Sequence, residues 1–445
     1  QARDYMGKHK DRVCGADVHK DLIVATITDR DGSYLQESFG TSPPELERFK
    51  EWMMINKCEQ VAFEATGVYW LPVHEVTSQS IDTIVANPYQ IKSLPNDKSD
   101  AKDADRIAEY CLNGQIKRSR VFSQEYRDLR TLTRARSGYV RTRTQIKNRI
   151  HKHLSSNGIK LSSCIEDIFG KSGRHILDGL AHKRRTSDII KGIPSGQIRK
   201  KSDLVGVSIN NGLDETSRMI VKDLLELLDI TESKIEKTAN MVANKMLTKS
   251  EDLAIVMSIP GIGFTAGTTI LSEIGDIRDF KTPESMANWG GLIPGSYESA
   301  GKKKSLGITK RGPKQIRTVL VEVAHVIART GDSRLHRFFQ RLRARKNYNV
   351  AIVALARKLI CLIHHLLTNR ELYQENDCEK KKPETSECDV GSSSLTEESL
   401  GDRVAAIVDA LYSLKDRSRK RIQRKRTAKT REFKRLPKWL SNGGG

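Results

Sequence analysis

The stretch from residue 123 to 156 admits few folds. Leu129, Leu132, Tyr139, Ile146 and Ile150 recur near heptad spacing, which predicts one long helix with an apolar seam. A second helix of the same kind is predicted over about 213–247, with Val221, Leu224, Leu228, Ile235 and Val242 on its seam. Two such seams are expected to bury each other as an antiparallel coiled-coil arm, each helix about 35 residues and about 50 Å long. A chain of 445 residues with 37% apolar content then reads as two or three domains joined by long polar helices.

The charge on the first helix is one-sided. Between Arg127 and Lys152 it carries nine Lys or Arg, against Glu125 and Asp128 at its start. Arg127 and Arg134 are the candidate nucleic-acid contacts on its first half, and Arg141, Arg143, Lys147, Arg149 and Lys152 on its second. The second helix has mixed charge. The segment between the two reads as irregular and basic, with "HKRR" and "IRKK". The whole chain has 77 Lys plus Arg, 55 Asp plus Glu and a net charge of +22, a surplus that points to a polyanionic partner. No run of 18 apolar residues is present, so no membrane span and no membrane partner is expected. The N-terminus shows no apolar leader. Seven dispersed cysteines without a CxxC pair argue against structural zinc and fit a reducing compartment.

The rest of the chain divides around the arm. Residues 1–118 are predicted as an α/β domain with a mixed sheet: three meandering strands from about 12 to 40, then helix, strand, helix, strand and helix. That order is the one found in ribonuclease H-like domains. Residues 119–250 hold the arm and its basic linker, and 251–372 a compact helical domain. From 373 to 445 the composition changes to a polar linker expected to be disordered, a short amphipathic helix and a basic tail. The tail from Lys415 to Lys438 has 13 Lys or Arg in 24 residues. It reads as a nucleic-acid-binding arm, with a localisation signal or a solubilising tail as the plainer alternatives.

Four carboxylates stand out. Asp17 ends the first strand and Glu64 the fourth, while Asp100 and Asp103 lie three apart at the start of the last helix of the α/β domain. Residues at i and i+3 share a helix face. Strand ends plus a helix start can bring all four to one edge of the sheet, where their mutual repulsion calls for cations between them. Mg²⁺ is the candidate, because hard ions take oxygen ligands and suit phosphoryl transfer. The alternatives are ordinary surface acids, a helix N-cap at Asp100, and Asp105 in place of Asp103.

In the helical domain, "SIPGIGFTAGTTIL" reads as a helix-hairpin-helix-like turn, whose amides after Gly261 and Gly263 can face a phosphate. A tight interhelical turn is the alternative. Downstream, "GLIPGSYESAGKKK" over 291–304 is too polar for core and too poor in turn signals for a plain hairpin. It places Ser299 just before Lys302 and Lys303, with Lys310, Arg311, Lys314 and Arg317 soon after. No His adjoins this serine, so a triad is not indicated. The cations can serve an activated serine nucleophile, or a phosphate-binding loop in which the hydroxyl only donates a hydrogen bond.

Together, "GADVHKD", "FEATGVYW", "KSDAKDADRIAE", "IPGIG", "WGGLIPGSYESAGK" and "ITKRGPKQIRTVL" resemble, in order and across roughly 12–370, the DEDD transposases of the IS-one-ten and IS-eleven-eleven insertion sequences. The resemblance implies a RuvC-like N-terminal domain, a coiled-coil linker and a C-terminal transposase domain. It implies a recombinase guided by a structured bridge RNA that pairs with target DNA and donor DNA. Asp17, Glu64, Asp100 and Asp103 fall on the family's D-E-D-D residues, with Mg²⁺ as cofactor, and Ser299 falls on its catalytic serine. Ala300 stands where the family usually has the first of two glycines. A prokaryotic, cytoplasmic, nucleoid-associated protein follows, and the long arm suggests active sites shared between subunits of a homo-dimer or homo-tetramer. The rivals are a metal-dependent RuvC-type junction nuclease without a covalent intermediate, and a non-enzymatic nucleic-acid-binding protein.

Overall fold

The computed structural model describes residues 10–375 apart from 66, 89–99, 300–301, 310–311 and 332, together with residue 405; for 100–101 and 296–306 it describes backbone alone. The polar linker, amphipathic helix and basic tail therefore lie outside the described residues, as do Lys310 and Arg311. The chain divides into two compact units, Gln1–Phe122 and Ser123–Gly445.

In the first unit, the early chain forms β1 (Arg12–Val18) and β2 (Ile23–Asp29), both buried over most of their length, and the largely exposed β3 (Tyr34–Phe39). Helix α1 (Pro43–Ile55) leads to β4 (Gln60–Glu64), and α2 (Trp70–Thr77) leads to β5 (Asp82–Ala86). The sheet order is β3-β2-β1-β4-β5; β1, β4 and β5 run parallel, and β2 and β3 are antiparallel to their neighbours. Alternate residues supply two cores. Cys14, Ala16 and Val18 of β1 pack with Phe49 and Met53 of α1 and Val73 of α2. Val13 of β1 and Ala62 of β4 pack on the other face with Ile107 and Cys111 of α3 (Asp100–Leu112). This mixed α/β sheet, covered by helices on both faces, fits a RuvC-like domain.

In the second unit, α4 (Gln124–Ser156) and α9 (Glu215–Met246) are the two long helices. They lie antiparallel. Near one end Lys245 meets Asp128 at 2.9 Å and Lys249 meets Glu125 at 3.0 Å. Near the other, Asn157 Nδ2 donates to Ser217 Oγ at 3.0 Å. The seam is not continuous. On α4 no residue between Thr133 and Ile146 is buried, and on α9 none between Thr231 and Thr238. Tyr139, expected on the seam, is exposed. Its neighbours Ala135, Gly138 and Thr142 are small and add no large apolar side chain to the seam there.

The segment between these helices, expected to be irregular, is a helical cap with its own core. Its helices α5 (Lys171–Ala181), α6 (Thr186–Lys191), α7 (Gly196–Arg199) and α8 (Ser202–Ile209) are all short. Ile176, Leu177, Ile189 and Val205 pack there against Ile150 and Leu154 of α4 and Val221 of α9. Gly192, Pro194 and Gly196 keep the later helices of the cap short, and its apolar residues are spread over four separate helices.

The base of the helix pair enters a larger core. Leu129, Val242 and Met246 pack with α10 (Ser250–Met257), α11 (Phe264–Ile274), α12 (Pro283–Trp289), α13 (Lys314–Arg329), α14 (Arg334–Arg343) and α15 (Tyr348–Asn369). Helix α15 is long and apolar enough to cross a membrane by length and composition, with a mean hydropathy of 1.9. Its Leu355, Leu359, Ile360 and Ile363 are fully buried in this core, which accounts for that composition. The stretch around Ser299 is a hairpin after all, β6 (Pro294–Ser299) pairing antiparallel with β7 (Lys302–Ile308). Backbone pairing supplies the order that the polar, turn-poor sequence does not advertise.

Candidate functional site

Strand register decides where the carboxylates stand. The last register pair between β1 and β4 is Ala16 with Phe63, so Asp17 and Glu64 are the next residues on adjacent parallel strands. Asp17 lies two beyond Gly15 and Glu64 two beyond Ala62, so both belong to the α3 face of the sheet. Gly15 lets α3 come close: a methyl there would stand 2.1 Å from the Ala108 amide nitrogen and 2.4 Å from the Ala104 carbonyl oxygen. Helix α3 runs back along the sheet, with Ile107 and Cys111 over Val13 and Ala104 over Gly15. Its N-terminus is thus at the Asp17 and Glu64 edge. Asp100 is the first residue of α3, and Asp103 lies four before Ile107, on the helix stripe that meets the sheet.

The side chains are held as follows. Asp17 Oδ2 meets His19 Nε2 at 3.0 Å. Asp103 Oδ1 accepts from Arg106 Nη2 at 2.6 Å. Asp105, the rival to Asp103, is tied to the sheet instead. Its Oδ1 accepts from Thr26 Oγ1 at 2.6 Å, Tyr34 OH at 2.9 Å and Gln36 Nε2 at 3.0 Å. That anchorage fixes α3 over β2 and β3, and sequence reading missed it because the partners lie 69 to 79 residues away. Among the described residues no three acidic, His or Cys side chains are gathered as a metal site. In donor chemistry a D-E-D-D set, all oxygen, fits a hard divalent cation. The cysteines of this unit do not compete for a catalytic role. Cys14, Cys58 and Cys111 are free and buried, and burial pushes the Cys111 thiol up to about 12.

In the second unit the hairpin carrying Ser299 is rooted in the core by Leu292, Ile293 and Ile308. The Thr309 amide donates to Ile293 O at 3.0 Å and extends the pairing below the root. Ser299 pairs with Lys302, the last register pair before the turn, with Lys303 next to it on β7. Arg317, expected to face nucleic acid, clasps the root: its Nη1 donates to Gly312 O at 3.1 Å and to Gly290 O at 3.4 Å. Gly312 has φ +88°, and a methyl there would stand 1.9 Å from Trp289 O, so only glycine fits. Lys314 starts α13 and is exposed.

The turn between α10 and α11 is formed as expected of a helix pair, with Gly261 at φ +84° and Gly263 as the N-cap of α11. Along α4, Arg141, Arg149 and Lys152 are exposed and Arg143 is half-buried. Lys147 lies over the Phe169 ring at 4.7 Å, and Arg127 donates to Gln124 on its own helix. Arg134 has a structural duty. Its Nε and Nη2 donate to the fully buried Glu273 at 2.7 and 3.0 Å, and Arg130 Nη2 joins at 3.1 Å.

Comparison with known proteins meets this geometry in both units. Residues 14–157 match the DEDD transposase family of IS110 elements, and residues 253–340 match the family described as "Transposase IS116/IS110/IS902 family". The transposase for insertion sequence element IS1111A of Coxiella burnetii is 25% identical over 372 residues, covering 82% of this chain and 91% of that protein. A probable family 20 transposase of Pseudomonas aeruginosa is 24% identical over 322 residues, covering 71% and 85%. The transposase for insertion sequence element IS1328 of Yersinia enterocolitica is 31% identical over 116 residues, covering 25% and 35%. With an acid-bearing RuvC-like sheet in the first match and the serine hairpin in the second, the chain belongs to the IS110/IS1111 family of transposases.

Proposed function

We propose that this transposase cuts and rejoins DNA through a phosphoserine intermediate, with Asp17, Glu64, Asp100 and Asp103 holding Mg²⁺ and Ser299 as the nucleophile. The register that brings Asp17 and Glu64 side by side under the N-terminus of α3 carries this reading. Mg²⁺ bound there supplies Lewis-acid stabilisation of a phosphoryl oxygen. The four carboxylates hold and orient that charge. Ser299 attacks the phosphodiester; its oxygen bonds to phosphorus while a deoxyribose hydroxyl leaves with a proton. Lys302, its register partner across the hairpin, offsets the charge that builds on phosphorus. Bond energy is kept in the phosphoserine ester and returned when a second strand's hydroxyl attacks.

Site choice is proposed to come from a structured bridge RNA pairing with target and donor DNA. The exposed Arg141, Arg149 and Lys152 support this reading in that they offer a cationic surface to the phosphates of such an RNA. The test is trapping. Reactions quenched in denaturant should yield a DNA-linked protein whose linked peptide contains Ser299. Ser299→Ala should abolish the adduct, and Asp17→Ala should abolish cleavage while binding of RNA and DNA persists. Cleavage at full rate without an adduct would point to a metal-only nuclease.

A further inference from the structure

A cavity of about 200 Å³ lies where α4, α9 and α11 meet, lined by Arg136, Asn240, Phe264, Thr265, Thr268 and Thr269 among others. None of its lining residues is acidic. Three arginines, Arg130, Arg134 and Arg136, enter this part of α4 within two turns. Glu273 takes the first two. Among the described residues Arg136 meets no carboxylate. Its guanidinium is half-buried, and its pKa is lowered, first by that burial and then by the charge of Arg143. A cation that is partly desolvated, repelled by its neighbour and left unneutralised calls for an anion from outside the chain.

The other wall of the cavity agrees. Helix α11 begins at Gly263, which has no side chain to cap it. Gly267 is the first amide of this helix to find an intrahelical acceptor, Gly263 O at 2.9 Å, so the amides of the first turn remain on offer. The hydroxyls of Thr268 and Thr269 already donate to Thr265 O. Arg136, the first-turn amides and the Thr265 hydroxyl are therefore the donors this wall offers an anion. Val242 and Phe264 line the same space and give it an apolar side. A strand phosphate with its sugar has this division of character, charged at one end and apolar at the other.

We propose that the α4–α9–α11 cavity grips a single phosphodiester of a bound nucleic-acid strand through Arg136. The proposal rests on the reading that this chain acts on nucleic acid, but not on the serine chemistry or the RNA guide. DNA and RNA share the recognised group, so the test uses three labelled probes on the full chain: duplex DNA, single-stranded DNA and an RNA hairpin. Affinity is measured against KCl concentration for the parent, Arg136→Gln and Arg136→Lys. Each phosphate contact contributes about 0.9 to the salt slope for duplex DNA and about 0.7 for a single strand. Arg136→Gln should lower the slope by about that much with the probe that enters the cavity, and Arg136→Lys should keep the slope. Without nucleic acid, Arg136→Gln should melt at the parent's temperature or above it, because an unneutralised cation is removed. An unchanged slope with all three probes overturns the proposal, and so does a lower melting temperature of the free protein, which would make Arg136 a structural residue. A lowered slope in a protein that forms no Ser299 adduct would sustain the cavity and refute the serine mechanism.

Discussion

At Gly15 the sheet and α3 touch backbone to backbone, and the position of two of the four acids depends on that contact. Gly15→Ala puts a methyl 2.1 Å from a main-chain nitrogen, which cannot turn aside as a side chain can. The helix has to move out, with an overpacking cost of about 1–3 kcal/mol. Asp100 and Asp103 move with it. We expect Gly15→Ala to fold with a lowered urea midpoint and to lose strand cleavage by a larger factor than its stability loss explains. Cleavage at the parent rate would show that α3 need not sit this close. Residue identity alone did not announce this. A glycine in a strand reads as a weakness or a bulge, and the carbonyl it admits belongs to a residue 89 positions later in sequence.

Among elements, the α4–α11 junction is held by charge inside the core. Glu273 is fully buried, 139 residues from the Arg134 that grips it. Removing both partners, Arg130→Met with Arg134→Met, leaves a buried carboxylate unpaired and should cost about 3–5 kcal/mol. Adding Glu273→Met should recover most of that loss, read as the midpoint in urea. If the triple variant is no more stable than the double, the charge was not the cause. The same junction shows what sequence could and could not convey. Two kinds of element were legible: β1 to β5 as short segments between turns, α4 and α9 from their apolar recurrence. The cap was not, because α5 to α8 span 4 to 11 residues each and share a core that none of them could bury alone. The acids Asp17 and Glu64 were legible as strand ends, while the duties of Asp105 and Arg134 depend on partners too far along the chain for any local pattern. On α4, Arg134, expected to contact nucleic acid, also pairs with the buried Glu273.

Over the whole molecule, the proposed acids belong to the first compact unit and Ser299 to the second. A subunit carrying Asp17→Ala and another carrying Ser299→Ala each keep one intact half of the proposed chemistry. If active sites are shared in a dimer or tetramer, mixing the two should restore part of the strand exchange; no rescue at any ratio would assign each site to one chain. The helix pair of the second unit adds a mechanical point. It is clamped at one end by the cap core and at the other by the core around α15, with nothing buried on α4 between Thr133 and Ile146. A beam fixed at both ends and unbraced at mid-span yields at mid-span. Under load on the cap, the pair is expected to give between Thr133 and Ile146 before either packed end does.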